Sequence, residues 1–150
     1  MFNFRNYDGL DESFAEFLER NKNQFGANVK YLPGNDQIYT AFGKDISRSY
    51  AHDVIYVLGK ARVLIYNGQN DVVVNNAGVL QYLNSLNWDL IGQWKRTPKE
   101  IWTRHGAVIG WTKVYRNLWF AMVNGAGHMV PTDKPESAYN LMGHFLNDER

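Results

Sequence analysis

Two apolar runs in the chain stop abruptly in glycine-bearing turns, and the rest of the pattern is arranged around them. Ala61 to Tyr66 is nearly all apolar, which predicts a short strand covered on both faces. It passes into Asn67-Gly68-Gln69-Asn70-Asp71. Asn117 to Val123 reads as a second strand by its length and aromatic content, and delivers Asn124-Gly125-Ala126-Gly127-His128-Met129-Val130-Pro131. Helical spacing surrounds both. In Asp11 to Arg20, Phe14, Phe17 and Leu18 fall at i, i+3 and i+4, with acidic residues in the first turn, where the helix dipole favours them. Ser49 to Lys60 sets Ala51, Val54, Ile55 and Leu58 on one face, and Gly59 favours termination there. After Asp71 the spacing is helical again, with Val73, Ala77, Leu80, Tyr82, Leu83 and Leu86 on one broad face.

Glu100 to Arg104 and Trp111 to Arg116 predict a hairpin joined by His105 to Gly110. Glu136 to Leu146 predicts a closing helix carrying Ala138, Leu141, Met142 and Phe145. Gly26 and Pro33-Gly34-Asn35-Asp36 read as loop and turn, and the residues before Asp11 as a lead-in. Helix, strand, turn and helix in succession are the repeating unit of a parallel α/β sheet and place the chain in the α/β class. No repeat, low-complexity segment or linker interrupts it.

Composition narrows the partners. A length of 150 residues suits one domain able to bury a core, and 45% hydrophobic with 21% charged residues is the balance of a globular protein. A net charge of +1 gives no reason to expect nucleic acid or an acidic membrane surface. The apolar runs fall short of the roughly 18 residues a membrane helix needs. The absence of cysteine rules out thiolate metal sites and a cysteine nucleophile, and fits a reducing compartment without requiring one. No signal-peptide core and no Asn-x-Ser/Thr sequon speaks for secretion.

A strand end followed by a turn is where α/β sheets place their chemistry. An aspartate and a later histidine on such turns are the last two members of the chain order serine, acid, histidine. Asp71 has two readings. It can accept a hydrogen bond from a histidine ring and stabilise the imidazolium, or it can bond its own turn backbone, as its Asn-Gly and Asn-Asp neighbours favour. His128 likewise is either a general base suited to neutral pH or a turn and capping residue. The first member of the order has no candidate. No G-x-S-x-G occurs, and Ser13, Ser47, Ser49, Ser85 and Ser137 lie in ordinary helical or loop contexts.

Metal binding is weakly signalled. His128 and Asp133 could reach one ion, but no third ligand accompanies them. The glycines at 125 and 127 have neither dinucleotide nor Walker spacing, so no phosphate cofactor is expected. Trp94 to Lys99 mixes basic and aromatic residues and reads as a solvated loop, with single-stranded nucleic acid the remoter alternative. His52 and His105 read as surface polar residues, and His144 lies near the C-terminal end of the last helix, where a cation is favoured.

Val63 to Asp71, continued by Val74-Asn75-Asn76-Ala77-Gly78, resembles the aspartate motif of the serine carboxypeptidases, most closely the vitellogenic-like subgroup. Gly125 to Pro131, then Asp133 and Pro135, is similar to that family's histidine motif. The two are 57 residues apart, within the family's range. Trp88 and the Val108-Ile109-Gly110-Trp111 segment also fit, and the resemblance covers about Asp36 to the C-terminus.

The resemblance implies the C-terminal part of an α/β-hydrolase fold, a mixed sheet with flanking helices. It implies an enzyme that releases C-terminal residues from peptides or proteins through an acyl-enzyme, without metal or cofactor. Asp71 would be the triad carboxylate and His128 its base, and Met129 would line the pocket for the substrate's C-terminal side chain. Val74 stands where some members carry cysteine. The nucleophilic serine, oxyanion hole and carboxylate-gripping residues belong to the family's N-terminal half, so the expected partner is that half or a larger chain bearing the serine. The 150 residues alone are expected to be inactive, and lysosomal, vacuolar or secreted localisation is implied by family. The rival expectation is a non-catalytic interaction module derived from the same fold.

Overall fold

The computed structural model describes residues 16, 17, 19–25 and 35–148. The chain divides into two units, Met1–Ser49 and Tyr50–Arg150.

In the first unit, residues 16, 17, 19 and 20 are helical, in keeping with the helix expected there. The remainder of that helix, the lead-in and the turns at Gly26 and Pro33-Gly34 lie outside the described residues. A short helix α1 spans Lys22–Phe25 and a longer one, α2, Asp36–Ile46. The sequence pattern does not announce α2, because Asn35-Asp36 directly follows Pro-Gly and reads with it as a turn. Asn35 is in fact the cap. Its side chain accepts the N–H groups of Gln37 (3.0 Å) and Ile38 (3.1 Å), two of the donors a helix start leaves open.

The second unit is a four-stranded sheet between two helical layers. Its elements are α3 (Ala51–Leu58), β1 (Val63–Gly68), α4 (Asn76–Ser85), α5 (Ile91–Arg96), β2 (Glu100–Arg104), β3 (Ala107–Tyr115), β4 (Leu118–Val123), α6 (Val130–Asp133) and α7 (Pro135–Asn147). The spatial order is β1-β4-β3-β2. β1 and β4 run parallel, Val63 opposite Leu118 through to Gly68 opposite Val123, while β4–β3 and β3–β2 are antiparallel. The sheet is mixed, as expected.

β4 explains the layering. Its alternate residues serve two separate cores, so the strand is apolar throughout and buried on both faces. Leu118 and Phe120 join Leu58, Leu83, Leu86 and Trp94, contributed by α3, α4 and α5 with the segment between the latter two. Ala121 and Val123 join Val130, Ala138 and Leu141 from α6 and α7. Trp119, on that second face, meets Phe145 edge-on at 5.7 Å between centroids.

Three local expectations need correction. The hairpin loop is the pair His105-Gly106 rather than His105 to Gly110, and β3 begins at Ala107 opposite Arg104. Both turn residues have positive φ (49° and 77°), the tight geometry that matches strand twist. The helix after Asp71 begins at Asn76, capped by Asn75 through the Gly78 N–H (2.8 Å), so Val73 precedes it and Tyr82 faces solvent. Trp94 to Arg96 belong to α5 instead of a solvated loop. Trp94 is fully buried, its indole N–H donating to Asn84 Oδ1 (3.1 Å), and presents no free ring for a base.

Candidate functional site

Parallel pairing sends the C-terminal ends of β1 and β4 to the same edge of the sheet, and both glycine-bearing turns leave from there. The turns are bonded to each other directly. Gln69 N–H donates to Val123 O (2.9 Å), Asn70 N–H to Ala126 O (2.8 Å), and Gly125 N–H to the Gln69 side-chain oxygen (3.1 Å). Gly68 makes this approach possible. A Cβ there would stand 2.1 Å from Gly127 O and 2.4 Å from Ala126 O, inside contact distance of two carbonyls. Close approach of the two turns thus rests chiefly on Gly68, while a Cβ at Gly125 or Gly127 would meet only side-chain atoms, at 3.1 Å or more.

The apposition brings Asp71 and His128 together, Oδ2 to Nδ1 at 2.9 Å. Asp71 is buried, and its other oxygen, Oδ1, accepts the backbone N–H groups of Val73 and Val74, each at 2.9 Å. Asp71 therefore makes at once the hydrogen bonds that each of its two readings calls for. One oxygen closes its own turn, and that anchoring aims the other at the histidine. Burial opposes ionisation of the carboxyl. The Val74 N–H, the His128 ring, the Val73 N–H and the charge His128 can carry outweigh it, holding the carboxyl below its ordinary 3.8.

An ionised carboxylate only accepts, so the proton in the 2.9 Å contact belongs to His128 Nδ1. The neutral ring is thereby fixed as the Nδ1–H tautomer, with a lone pair on Nε2. About half of the His128 side chain is exposed, against 2% for Asp71. A half-exposed imidazole with a lone pair on Nε2 and a buried carboxylate behind it is an arrangement that can accept a proton as a general base does.

The histidine loop is closed by a second carboxylate. Asp133 Oδ2 accepts the Gly127 N–H (2.6 Å), and the Asp133 and Thr132 N–H groups return to Met129 O (3.0 Å each). Asp133, considered from sequence as a possible ligand, is thus occupied with the backbone beside His128. Among the described residues no three histidine, aspartate or glutamate side chains gather into a metal site. Met129 is exposed next to His128, and Val72, Val73 and Val74 are exposed around Asp71. His52 and His105 lie at the surface, as expected. Gly68 and Asn67, both inside the first motif, have structural roles that the composition of the turn alone does not reveal.

The sequence model of the serine carboxypeptidase family matches residues 11–148. A serine carboxypeptidase S10 family member 2 of Dictyostelium discoideum is 36% identical over 98 residues, covering 62% of this chain and 17% of that protein. The vitellogenic carboxypeptidase of Aedes aegypti is 29% identical over 142 residues, covering 91% of this chain and 30% of the relative. Among solved structures, a prohormone-processing carboxypeptidase from Saccharomyces cerevisiae superposes with a TM-score of 0.69 at 26% identity, over 79% of this chain and 26% of that one. The chain therefore spans less than a third of the length of the relatives it matches. Its mixed sheet with flanking helices is that of an α/β hydrolase, and the chain belongs to the serine carboxypeptidase family.

Proposed function

We propose that Asp71 and His128 are the carboxylate and the general base of a Ser-His-Asp triad in a serine-type carboxypeptidase. The observation that carries this reading is the 2.9 Å contact between Asp71 Oδ2 and His128 Nδ1, with Oδ1 already satisfied by two backbone N–H groups. In that role His128 Nε2 takes the serine hydroxyl proton as the oxygen attacks the last peptide carbonyl. It then returns the proton to the departing amine, and repeats the cycle with water to release the acyl group. Asp71 holds the tautomer and stabilises the imidazolium between those transfers. Met129, exposed beside the base, lines the pocket for the C-terminal side chain of the peptide or protein substrate. No metal or cofactor takes part in this scheme.

The nucleophile comes from polypeptide outside these 150 residues, since none of the five serines stands in a G-x-S-x-G elbow. The isolated chain is then inactive. The test compares the isolated chain with the native protein from its source cells, using a blocked dipeptide as substrate and a fluorophosphonate to label the serine. The expected result is no hydrolysis by the isolated chain, and hydrolysis by a native assembly whose labelled serine lies outside this sequence. His128→Ala should abolish it. Turnover by the isolated chain, or an active assembly indifferent to His128→Ala, would overturn the proposal. A native product of 17.3 kDa with no labelled partner would favour the interaction module instead.

A further inference from the structure

The segment that orients Asp71 is held almost entirely by hydrogen bonds. Val72, Val73 and Val74 are exposed at 58%, 71% and 47%, so apolar packing does little to fix the backbone whose N–H groups aim the carboxylate. One buried side chain ties this segment to the sheet. Asn67, near the end of β1 and 6% exposed, accepts the Gly68 N–H at Oδ1 (3.0 Å) and donates from Nδ2 to the Val74 carbonyl. Val74 is therefore gripped on both sides, its N–H by Asp71 and its C=O by Asn67. Asn76 closes the other flank, donating to Gly68 O (2.7 Å), but this bond leaves Val74 untouched.

We propose that Asn67 is a positioning residue for the Asp71 carboxylate: by holding Val74 it keeps Oδ1 occupied and reserves Oδ2 for His128. The inference rests on the triad reading of that pair for its functional meaning. The hydrogen bonds of Asn67 go to Gly68 and Val74 and not to the histidine. Asn67 acts through the Val74 peptide. Without that grip a donor to Oδ1 is lost, the carboxylate turns about its terminal torsion, and the two oxygens no longer have distinct partners.

The test uses the full 150-residue chain and reads the His128 ring by nitrogen and proton magnetic resonance. The wild type is expected to show the Nδ1–H tautomer with a slowly exchanging Nδ1 proton. Asn67→Ala should speed that exchange roughly tenfold, the scale of one lost hydrogen bond, with the β4 amides still protected. Asn67→Asp keeps the size of the side chain and the acceptor for Gly68, but at neutral pH it cannot donate to Val74 O. It should behave as Asn67→Ala does. Wild-type exchange and tautomer in Asn67→Asp would overturn the proposal. So would loss of β4 protection in both variants, which would make Asn67 a determinant of the fold. Hydrolysis is not read in this experiment. An active assembly indifferent to His128→Ala would sink the triad role and leave the tautomer result standing.

Discussion

The carbonyl oxygen of Gly127 lies 2.1 Å from where a Cβ on Gly68 would stand. The end of one strand and the turn after another thus meet backbone to backbone, with no room for a side chain. That contact sets the distance between the turns that carry Asp71 and His128.

Gly68→Ala forces two carbonyls away from the new methyl group, and neither is the end of a flexible side chain. Overpacking of this kind costs about 1–3 kcal/mol, and here it also separates the turns. The expected outcome in chemical denaturation is a loss of about 2 kcal/mol or more, together with loss of the Asp71-bound Nδ1 proton of His128. A fully stable variant retaining that proton would show that the turns can part without cost.

Asp71 links acid stability to the site. Its carboxyl is held below its ordinary 3.8 in the folded chain. A depressed carboxyl contributes stability that is present above the unfolded value and lost as pH falls through the folded one. The wild type should therefore lose stability below about pH 3.8 more steeply than Asp71→Asn, which has no proton to take up there. Denaturant midpoints measured from pH 6 down to the acid limit would check this, and parallel curves would contradict it.

In the assembled enzyme, Asp71→Asn presents an amide donor to His128 Nδ1 and favours the wrong tautomer. The proposed role predicts a fall in kcat of about ten-thousandfold with little change in KM. Steady-state kinetics on a blocked dipeptide measure both, and a change confined to KM would place Asp71 in binding rather than in catalysis.

Lys113 lies on the covered face of β3, 8% exposed, over the Trp94 ring at 4.8 Å. Among the described residues its one hydrogen bond, to Lys95 O, is long at 3.5 Å, and no carboxylate pairs with it. Burial, and then the charge of Lys99, push its ammonium below the usual 10.5. The charge is a cost to the fold that diminishes as pH rises through the folded value. Lys113→Met keeps the length and removes the charge, and should stabilise the chain at neutral pH by on the order of 1 kcal/mol. A higher melting temperature for the variant is the expected reading.

Trp94 is the base of that stack and part of the core shared by α3, α4 and β4. Trp94→Ala should cost about 3–5 kcal/mol, a large fraction of a domain's stability. Thermal unfolding would show it directly. A mild effect would mean that Trp94 is less buried in solution than its indole bond to Asn84 requires.

Much of the sheet was legible because strand and helix periods leave distinct marks. β1 and β4 stand out as apolar runs, but only β4 is buried on both faces; β1, at the end of the strand order, is partly buried and leaves Tyr66 exposed, short of the full cover its apolar run predicts. The helix α7 shows its spacing through Ala138 and Leu141. The helix α2 was hidden by one ambiguous residue, since asparagine serves turns and helix caps alike. The helix α5 is too short to show a period, and its buried tryptophan sits among basic residues that suggested solvent. At the site, Asp71 and His128 were identifiable as residue types on turns, and the family resemblance joined them. The supporting bonds of Asn67, Asn76 and Asp133 left no mark that the turns' ordinary composition did not already explain.

The sequence by itself determined the α/β class, the positions of the two strands, the glycine-bearing turns at their ends and the titratable residue each turn presents. Those properties are local: they depend on side-chain period, backbone preference and turn chemistry within a few residues. Only the tertiary structure decided that the two turns share an edge, that Asp71 divides its oxygens between its own backbone and His128, and that the proton sits on Nδ1. The reason is the pairing of β1 with β4. Parallel register, held by the burial of β4 on both faces and by ladder hydrogen bonds, brings residues 57 apart in the chain to 2.9 Å.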